Sequence, residues 1–529
     1  MRGDVNRHEL IHIYDTTLRD GAQREGISFS CEDKLRVARC LDKLGVAFIE
    51  GGWTGSNPKD TEFFERARAI PWREATIVAF GSTRRPNIPP EQDANLLALL
   101  DAGTQVCTLV GKSSPMHVLE VLRATLDENL RMIENSVGFL RSKGRRVIYD
   151  AEHFFDGYRS DPDYAMETLS AAARGGAKTI VLCDTNGGMM PWEIHAIVRE
   201  VSKRLDLPLG IHAHDDAACG VANSLAGVLA GAVQVQGTIN GYGERCGNAN
   251  LCAVIPSLEL KLGFRALPEG RLKQLRQVGR FVAEIANIAP DEHMPYVGSS
   301  AFSHKGGLHV AAMRRNAHSY QHVDPAAVGN ETRVIVSELS GRANLLSKIE
   351  EYGLASMDAY TASEILRELK ELEAKGFSFE AADASVAMMI QRRAPSYEPP
   401  FELIDYVVMV EHRQRRETFA EATVKLSVRG EVLHTAAEGN GPVHTLDAAL
   451  RKALSPIYPA MRSFQLVDYK VRILDGRQGT AAMTRVLIDT RDGRRRWSTV
   501  GASTNIIEAS WLALADSIEY GLVIECGRL

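Results

Sequence analysis

The sequence predicts an α/β protein: a (β/α)8, or TIM, barrel over residues 9–264, helical linker subdomains over 265–394, and an α+β domain with a βββα repeat over 401–529. Three observations predict this. Short apolar runs alternate with amphipathic segments eight times in the first half of the chain, the βα rhythm of a parallel sheet. Three prolines in seven residues, Ala394-Pro395-Ser396-Tyr397-Glu398-Pro399-Pro400, then forbid a continuing helix. Beyond them the pattern becomes strand-rich. At 529 residues the chain also exceeds what one core supports, so roughly two to four domains are expected.

The candidate strands lie at 10–14, 46–50, 76–80, 106–110, 146–150, 179–183, 209–212 and 233–238, each followed by a helical pattern. Eight such units in roughly 250 residues fit a closed barrel, whereas a doubly wound sheet usually stops at about five or six strands. Helical segments at 271–288, 341–352, 359–375 and 379–393 follow, separated by glycine and proline. After the proline cluster come strands at 404–410, 422–428, 469–473 and 483–488, with helices at 445–454 and 505–520. The two helix starts look alike. Gly439-Asn440-Gly441-Pro442-Val443 precedes Asp447, and Gly501-Ala502-Ser503-Thr504-Asn505 precedes Glu508, 61 residues on, which indicates a tandem βββα repeat.

Bulk chemistry narrows the function classes. Sixty-two Lys+Arg against 67 Asp+Glu leave a net charge of −5 and no sustained basic face, so nucleic acid is not an expected partner. The Arg494-Arg495-Arg496 cluster follows Asp492-Gly493 and reads as a charged hairpin turn. No apolar run approaches the ~20 residues that span a bilayer, and Met1 to Leu10 is polar rather than signal-like; no membrane association is expected. The eight cysteines contain no C-x-x-C pair, as in a reduced compartment, and a cytoplasmic location is expected.

The polar residues fall where a barrel enzyme keeps its chemistry, at the C-terminal ends of the strands. Arg19 and Asp20 follow strand one, Glu50 ends strand two, Asp150 and Glu152 end strand five, and Asp184-Thr185-Asn186 end strand six. His212 and His214 end strand seven. Residues i and i+2 of a strand share a face, so both imidazoles can reach one divalent ion, with Asp20 completing a three-sided cap. The loop Gly241-Tyr242-Gly243-Glu244-Arg245-Cys246-Gly247-Asn248 follows the last strand and lacks G-x-G-x-x-G spacing, so it is not read as a nucleotide cradle.

Leu18-Arg19-Asp20-Gly21-Ala22-Gln23 with Lys34, His212-Ala213-His214-Asp215-Asp216, and Gly243-Glu244-Arg245-Cys246-Gly247-Asn248 resemble the pyruvate-carboxyltransferase-type (HMG-CoA lyase-like) barrels, which include isopropylmalate, homocitrate and citramalate synthases. Three further stretches are most similar to the citramalate synthases: Ile49-Glu50-Gly51-Gly52-Trp53 with Gly55-Ser56-Asn57-Pro58-Lys59-Asp60, Asp150-Ala151-Glu152-His153-Phe154-Phe155-Asp156-Gly157-Tyr158, and Leu182-Cys183-Asp184-Thr185-Asn186-Gly187-Gly188.

The resemblance implies an acyltransferase that joins acetyl-CoA to pyruvate and hydrolyses the thioester to give (R)-citramalate and CoA, the first step of a threonine-independent isoleucine route. The alternatives are 2-isopropylmalate or homocitrate synthase, a carbon–carbon lyase on the same platform, and a non-catalytic amino-acid sensor.

On this reading Asp20, His212 and His214 hold Mn, Mg, Co or Zn, and Asn248 is either a fourth or water-mediated ligand or a loop-capping amide. Arg19 stabilises the keto oxygen, salt-bridges Glu50 or Glu152, or does both. Thr185 resembles the family's substrate-carboxylate hydroxyl. The base is Glu152 or His309, the latter with Tyr320 eleven residues on, while His304 is read as structural. The family usually carries an acidic residue after that His; here Val310 follows His309. The resemblance further implies isoleucine as an allosteric effector of the C-terminal domain and a homodimer or dimer of dimers.

Overall fold

The computed structural model describes residues 9–337, 342–351, 359–412, 418–474, 476–493 and 495–525. The start of the polar N-terminal stretch, the outer ends of the 341–352 helix, Arg494 and Cys526 lie outside the described residues. The described residues form two compact units, those up to 302 together with 323–331, and those of 303–322 together with 332 onward.

In the first unit eight strands close a barrel in sequence order. They are β1 (His12–Asp15), β2 (Phe48–Trp53), β3 (Thr76–Ser82), β4 (Val106–Lys112), β5 (Arg146–Glu152), β6 (Thr179–Asp184), β7 (Leu209–Ala213) and β8 (Ala232–Gly237). All neighbours are parallel, and β8 returns to β1 with His12 opposite Gln234 and Asp15 opposite Gly237. The strands read as nearly continuous apolar runs because both faces are buried. Tyr14, Phe48, Val78, Val106, Ile148 and Val181 fill the barrel interior. Ile13, Ile49, Ala79, Leu109, Leu182 and Ile211 alternate with them and pack outward against the helices.

Local sequence sets the barrel's turns. Ser30 caps the helix Cys31–Leu44 by accepting from the Asp33 N–H, while the Asp33 carboxylate accepts from the Ser30 N–H, a reciprocal box. Lys34 on that helix is buried. Its ammonium pairs with Asp60 and donates to the Gly51 carbonyl, and Asp60 also accepts from the Trp53 N–H at 3.0 Å. The distant Lys of the first motif therefore pins the loop after β2. Gly52 is required there: its φ is +153°, and a Cβ would stand 2.5 Å from the Asp60 carboxylate.

In the second unit β9 (Ser303–His304) pairs with β10 (Arg333–Val334), a short parallel bridge that the helical reading of this region did not include. The helices Arg342–Glu351, Ala359–Ala374 and Asp383–Gln391 follow, the last shorter than the 379–393 expected. Val336, Leu345, Ile365, Leu369 and Phe379 form their shared core.

The C-terminal part is βββα twice. One antiparallel sheet contains β11 (Glu402–Glu411), β12 (Phe419–Val428) and β13 (Glu431–Gly439), followed by the helix Pro442–Leu454. The other contains β14 (Gln465–Ile473), β15 (Thr484–Arg491) and β16 (Arg496–Ser503), followed by the helix Ile506–Glu525. Sequence periodicity missed β13 and β16 as individual strands, because apolar, small and polar side chains mix along them without a clean two-residue alternation. In the β15–β16 hairpin the Arg495 N–H donates to Asp492, as a charged turn should. Arg392 bonds Asp516 at 2.6 Å and Glu519 at 2.5 Å, tying the end of the Asp383–Gln391 helix to the C-terminal helix. Among the described residues no helix is long and apolar enough to cross a membrane.

Candidate active site

At the C-terminal end of the barrel, Arg19, Asp20, Glu152, Thr185, His212 and His214 line one cavity of about 450 Å3. The turn after β1 aims the first two. The Asp15 carboxylate accepts from the Thr17 N–H and hydroxyl, both at 2.9 Å, and the Gly21 N–H bonds back to the Thr16 carbonyl. This winds the chain so that Arg19 and Asp20 project over the strand end.

Asp20, His212 and His214 present ligand atoms within 4.8 Å of one another, and all three are buried. His212 Nε2 is 3.9 Å from Asp20 Oδ2, and the imidazole centroids are 5.2 Å apart. Burial opposes the Asp20 charge, but Arg19, then His212 and His214, outweigh it and hold the carboxyl below the ordinary carboxylate range. Burial, then the neighbouring His212, pushes the His214 imidazole down to about 4, so it is neutral at pH 7, the form that ligates.

Asn248 arrives on the loop after β8, which bridges back to His214. Its Nδ2 donates to Asp20 at 2.9 Å and to the Tyr242 carbonyl at 3.0 Å, while its Oδ1 is buried with no hydrogen-bond partner. Such an orphan is costly, and a cation would satisfy it. One carboxylate, two imidazoles and an amide oxygen suit a hard or borderline divalent ion, so these residues fit the metal. The loop's glycines allow this close fold: a Cβ on Gly247 would lie 1.9 Å from the Gly241 carbonyl oxygen.

Of the contacts expected of it, Arg19 makes the salt bridge to Glu50. Its Nη1 donates to Asp20 at 2.7 Å, its Nε to Glu50, and its guanidinium stacks 3.8 Å over Phe80, leaving it facing the cavity. Glu50 is fully buried and also accepts from the Tyr14 hydroxyl at 2.5 Å and the Thr16 hydroxyl at 2.6 Å. Glu152 is not Arg19's partner; it pairs with Lys112. Thr185 Oγ1 accepts from the His153 N–H at 2.9 Å, so its own hydroxyl proton is left to donate elsewhere.

Three of the expected residues belong to the other compact unit. His309, on the helix Gly307–Arg315, and Tyr320 belong to the second unit, where their rings stack at 4.1 Å. His304 sits in β9 with its Nε2 buried and unpartnered.

Sequence reasoning missed Gln236, fully buried on β8, which contacts both His212 and Asp150. The alternation Val233-Gln234-Val235-Gln236 was the available signal: two amides on the inward face of a barrel strand. Burial, then Glu50, raises Asp150 well above the ordinary carboxyl range.

Similarity to known proteins extends over almost the whole chain. Residues 10–282 match the HMGL-like family, 296–376 the homocitrate synthase post-HMGL domain-like family, and 380–522 the LeuA allosteric (dimerisation) domain. The chain is 52% identical to an (R)-citramalate synthase of Geobacter sulfurreducens over 97% of its own length and 98% of the relative's. It is 51% identical to one of Aquifex aeolicus over the same shares. A probable 2-isopropylmalate synthase of Methanopyrus kandleri is 31% identical, over 95% of this chain and 96% of that protein.

Proposed function

The chain belongs to the (R)-citramalate synthases of the HMGL-like family, a group of acyltransferases, and from that premise we propose that it condenses acetyl-CoA with pyruvate at the barrel cavity and hydrolyses the thioester, releasing (R)-citramalate and CoA. The observation that carries this reading is the convergence of Asp20, His212 and His214, with the Asn248 amide bonded to Asp20 and Arg19 paired with the same carboxylate. Asp20, His212, His214 and Asn248 would hold a divalent ion, Mn, Mg, Co or Zn, which when bound polarises a 2-oxo acid's carbonyl and fixes its orientation.

The chain's own groups supply the rest. The Arg19 guanidinium donates to the keto oxygen as that oxygen gains charge, and its bonds to Glu50 and Asp20 keep it from having to reorganise. The Thr185 hydroxyl donates to the substrate carboxylate, since its oxygen is already oriented by the His153 N–H. Glu152, held by Lys112, takes the methyl proton of acetyl-CoA. His309 and Tyr320, with stacked rings on the second unit, act on the thioester or the hydrolytic water.

The match to the LeuA allosteric (dimerisation) domain supports a homodimer, or a dimer of dimers, as the minimal active unit, with His309 acting on the partner's barrel. Isoleucine is the effector of the repeated βββα domain, and the Arg392–Asp516–Glu519 contacts tie that domain to the Asp383–Gln391 helix. The same reading locates the enzyme in the cytoplasm, at the first step of a threonine-independent isoleucine route. The test is to incubate the full chain with acetyl-CoA and pyruvate, with and without chelator. Metal-dependent formation of (R)-citramalate and free CoA is expected; undiminished turnover after complete metal removal would refute the site.

A further inference from the structure

We infer that Gln236 is a positioning residue that, with Asp150, fixes the tautomer and the aim of His212 toward the metal; this rests on the metal reading of Asp20, His212 and His214.

The barrel's register sets up the contact. Gln236 of β8 lies opposite His212 of β7 and opposite Tyr14 of β1, so its side chain enters the layer of buried side chains just beneath the cavity. Its Oε1 stands 2.6 Å from His212 Nδ1. A carbonyl oxygen only accepts, so Nδ1 must carry the proton, and the lone pair is left on Nε2, the nitrogen 3.9 Å from Asp20 Oδ2.

The amide is itself held the right way round. Its Nε2 donates to Asp150 Oδ1 at 3.0 Å. Were the amide reversed, its NH2 would face the Nδ1–H and the carboxyl would lose its donor. Asp150, Gln236 and His212 thus form one directional chain across three strands, all fully or nearly fully buried.

Residue chemistry explains the choice. An apolar residue of the same length would fill the space but leave the Nδ1–H without an acceptor. A carboxylate would accept but bring a third buried acid beside Asp150 and Glu50. Glutamine is a neutral group with an acceptor at one end and a donor at the other. His214 is held differently: its Nδ1 lies 3.3 Å from the guanidinium of the partly exposed Arg245, a donor rather than an acceptor.

The test measures metal binding to the full-length chain, stripped of metal, by titrating Co2+ alone and following its visible absorption. Gln236→Met keeps the packing and deletes the acceptor; the Co2+ dissociation constant should rise about 10–100-fold, as for loss of a partner that orients a metal-bound histidine. Asp150→Asn preserves an oxygen for the Gln236 NH2 and should stay within about threefold of wild type, whereas Asp150→Leu frees the amide to reverse and should weaken binding about tenfold. Thermal melts establish that each variant is folded.

Unchanged Co2+ affinity in folded Gln236→Met, with normal uptake by wild type, would overturn the relay alone. No Co2+ uptake by wild type would overturn the metal reading with it. Should Gln236→Met fail to fold, the Asp150 pair decides: equal affinities for the Asn and Leu variants would refute the chain.

Discussion

Replacing Glu50 tests whether Arg19 acts as a pre-set cation. Glu50 is fully buried and receives three donors, from Tyr14, Thr16 and Arg19. In Glu50→Gln the amide oxygen can still accept from Thr16 and Arg19, and the Tyr14 hydroxyl can turn to Thr108 Oγ1, 2.7 Å away. What disappears is the charge assistance, about 1–1.5 kcal/mol. Glu50→Leu deletes every acceptor and strands part of a buried guanidinium, a loss of about 3–5 kcal/mol.

At about 2 °C per kcal/mol for a barrel of this size, Tm should fall by roughly 2–3 °C in the first variant and 6–10 °C in the second. If the same loosening is felt when the keto oxygen charges, kcat falls about tenfold and then more than a hundredfold. The assay follows free thiol from acetyl-CoA and pyruvate, with metal content measured alongside, because Glu50 supplies no ligand atom and the metal should stay. A folded Glu50→Leu enzyme with kcat within about twofold of wild type, or a rate loss that tracks metal loss, would refute the reasoning.

Asp20→Ala and His212→Ala should lose metal and rate together, while Arg19→Ala keeps metal and loses about 2–4 kcal/mol of transition-state stabilisation, measured as kcat/KM beside metal analysis. Burial pushes the Asp15 carboxyl up to about 7, so the folded state retains a proton that the unfolded chain has released. That contribution is fully present below about pH 4 and is lost as pH rises through 7; urea midpoints from pH 5 to 8 should fall more steeply in wild type than in Asp15→Asn. Mixing inactive His309→Ala and Arg19→Ala chains should restore partial activity through hybrid sites, and no recovery despite demonstrated subunit exchange would favour a site completed within one chain. A chain ending at Arg393 should lose isoleucine inhibition, read as turnover against isoleucine concentration; retained inhibition would move the effector to the barrel.

The barrel was legible because its strands are doubly buried and therefore announce themselves as apolar runs at even spacing, from β1 to β8. The ligand set was legible because a strand's two-residue period brings His212 and His214 to one face. Glu50 was legible as one of two acids for Arg19 and Lys34 as a motif member, but the choice of Glu50 over Glu152, and the closure of Lys34 onto Asp60 from one helix to the next, depend on tertiary contacts. Gln236 escaped for the same reason. A buried amide has meaning only through its partners, and His212 and Asp150 reach it from β7 and β5. The strands β13 and β16 were not picked out singly because their packing against helices, rather than their own composition, holds them in place.

Substrate choice tests the central claim most directly. The purified chain, loaded with Mn2+ and given acetyl-CoA, should be assayed in parallel with pyruvate, 2-oxobutyrate, 2-oxoisovalerate and 2-oxoglutarate, with thiol release quantified and products identified by chiral chromatography. The account predicts the highest kcat/KM with pyruvate and (R)-citramalate as its product. A higher kcat/KM with 2-oxoisovalerate, or no thiol release with any 2-oxo acid, would contradict it.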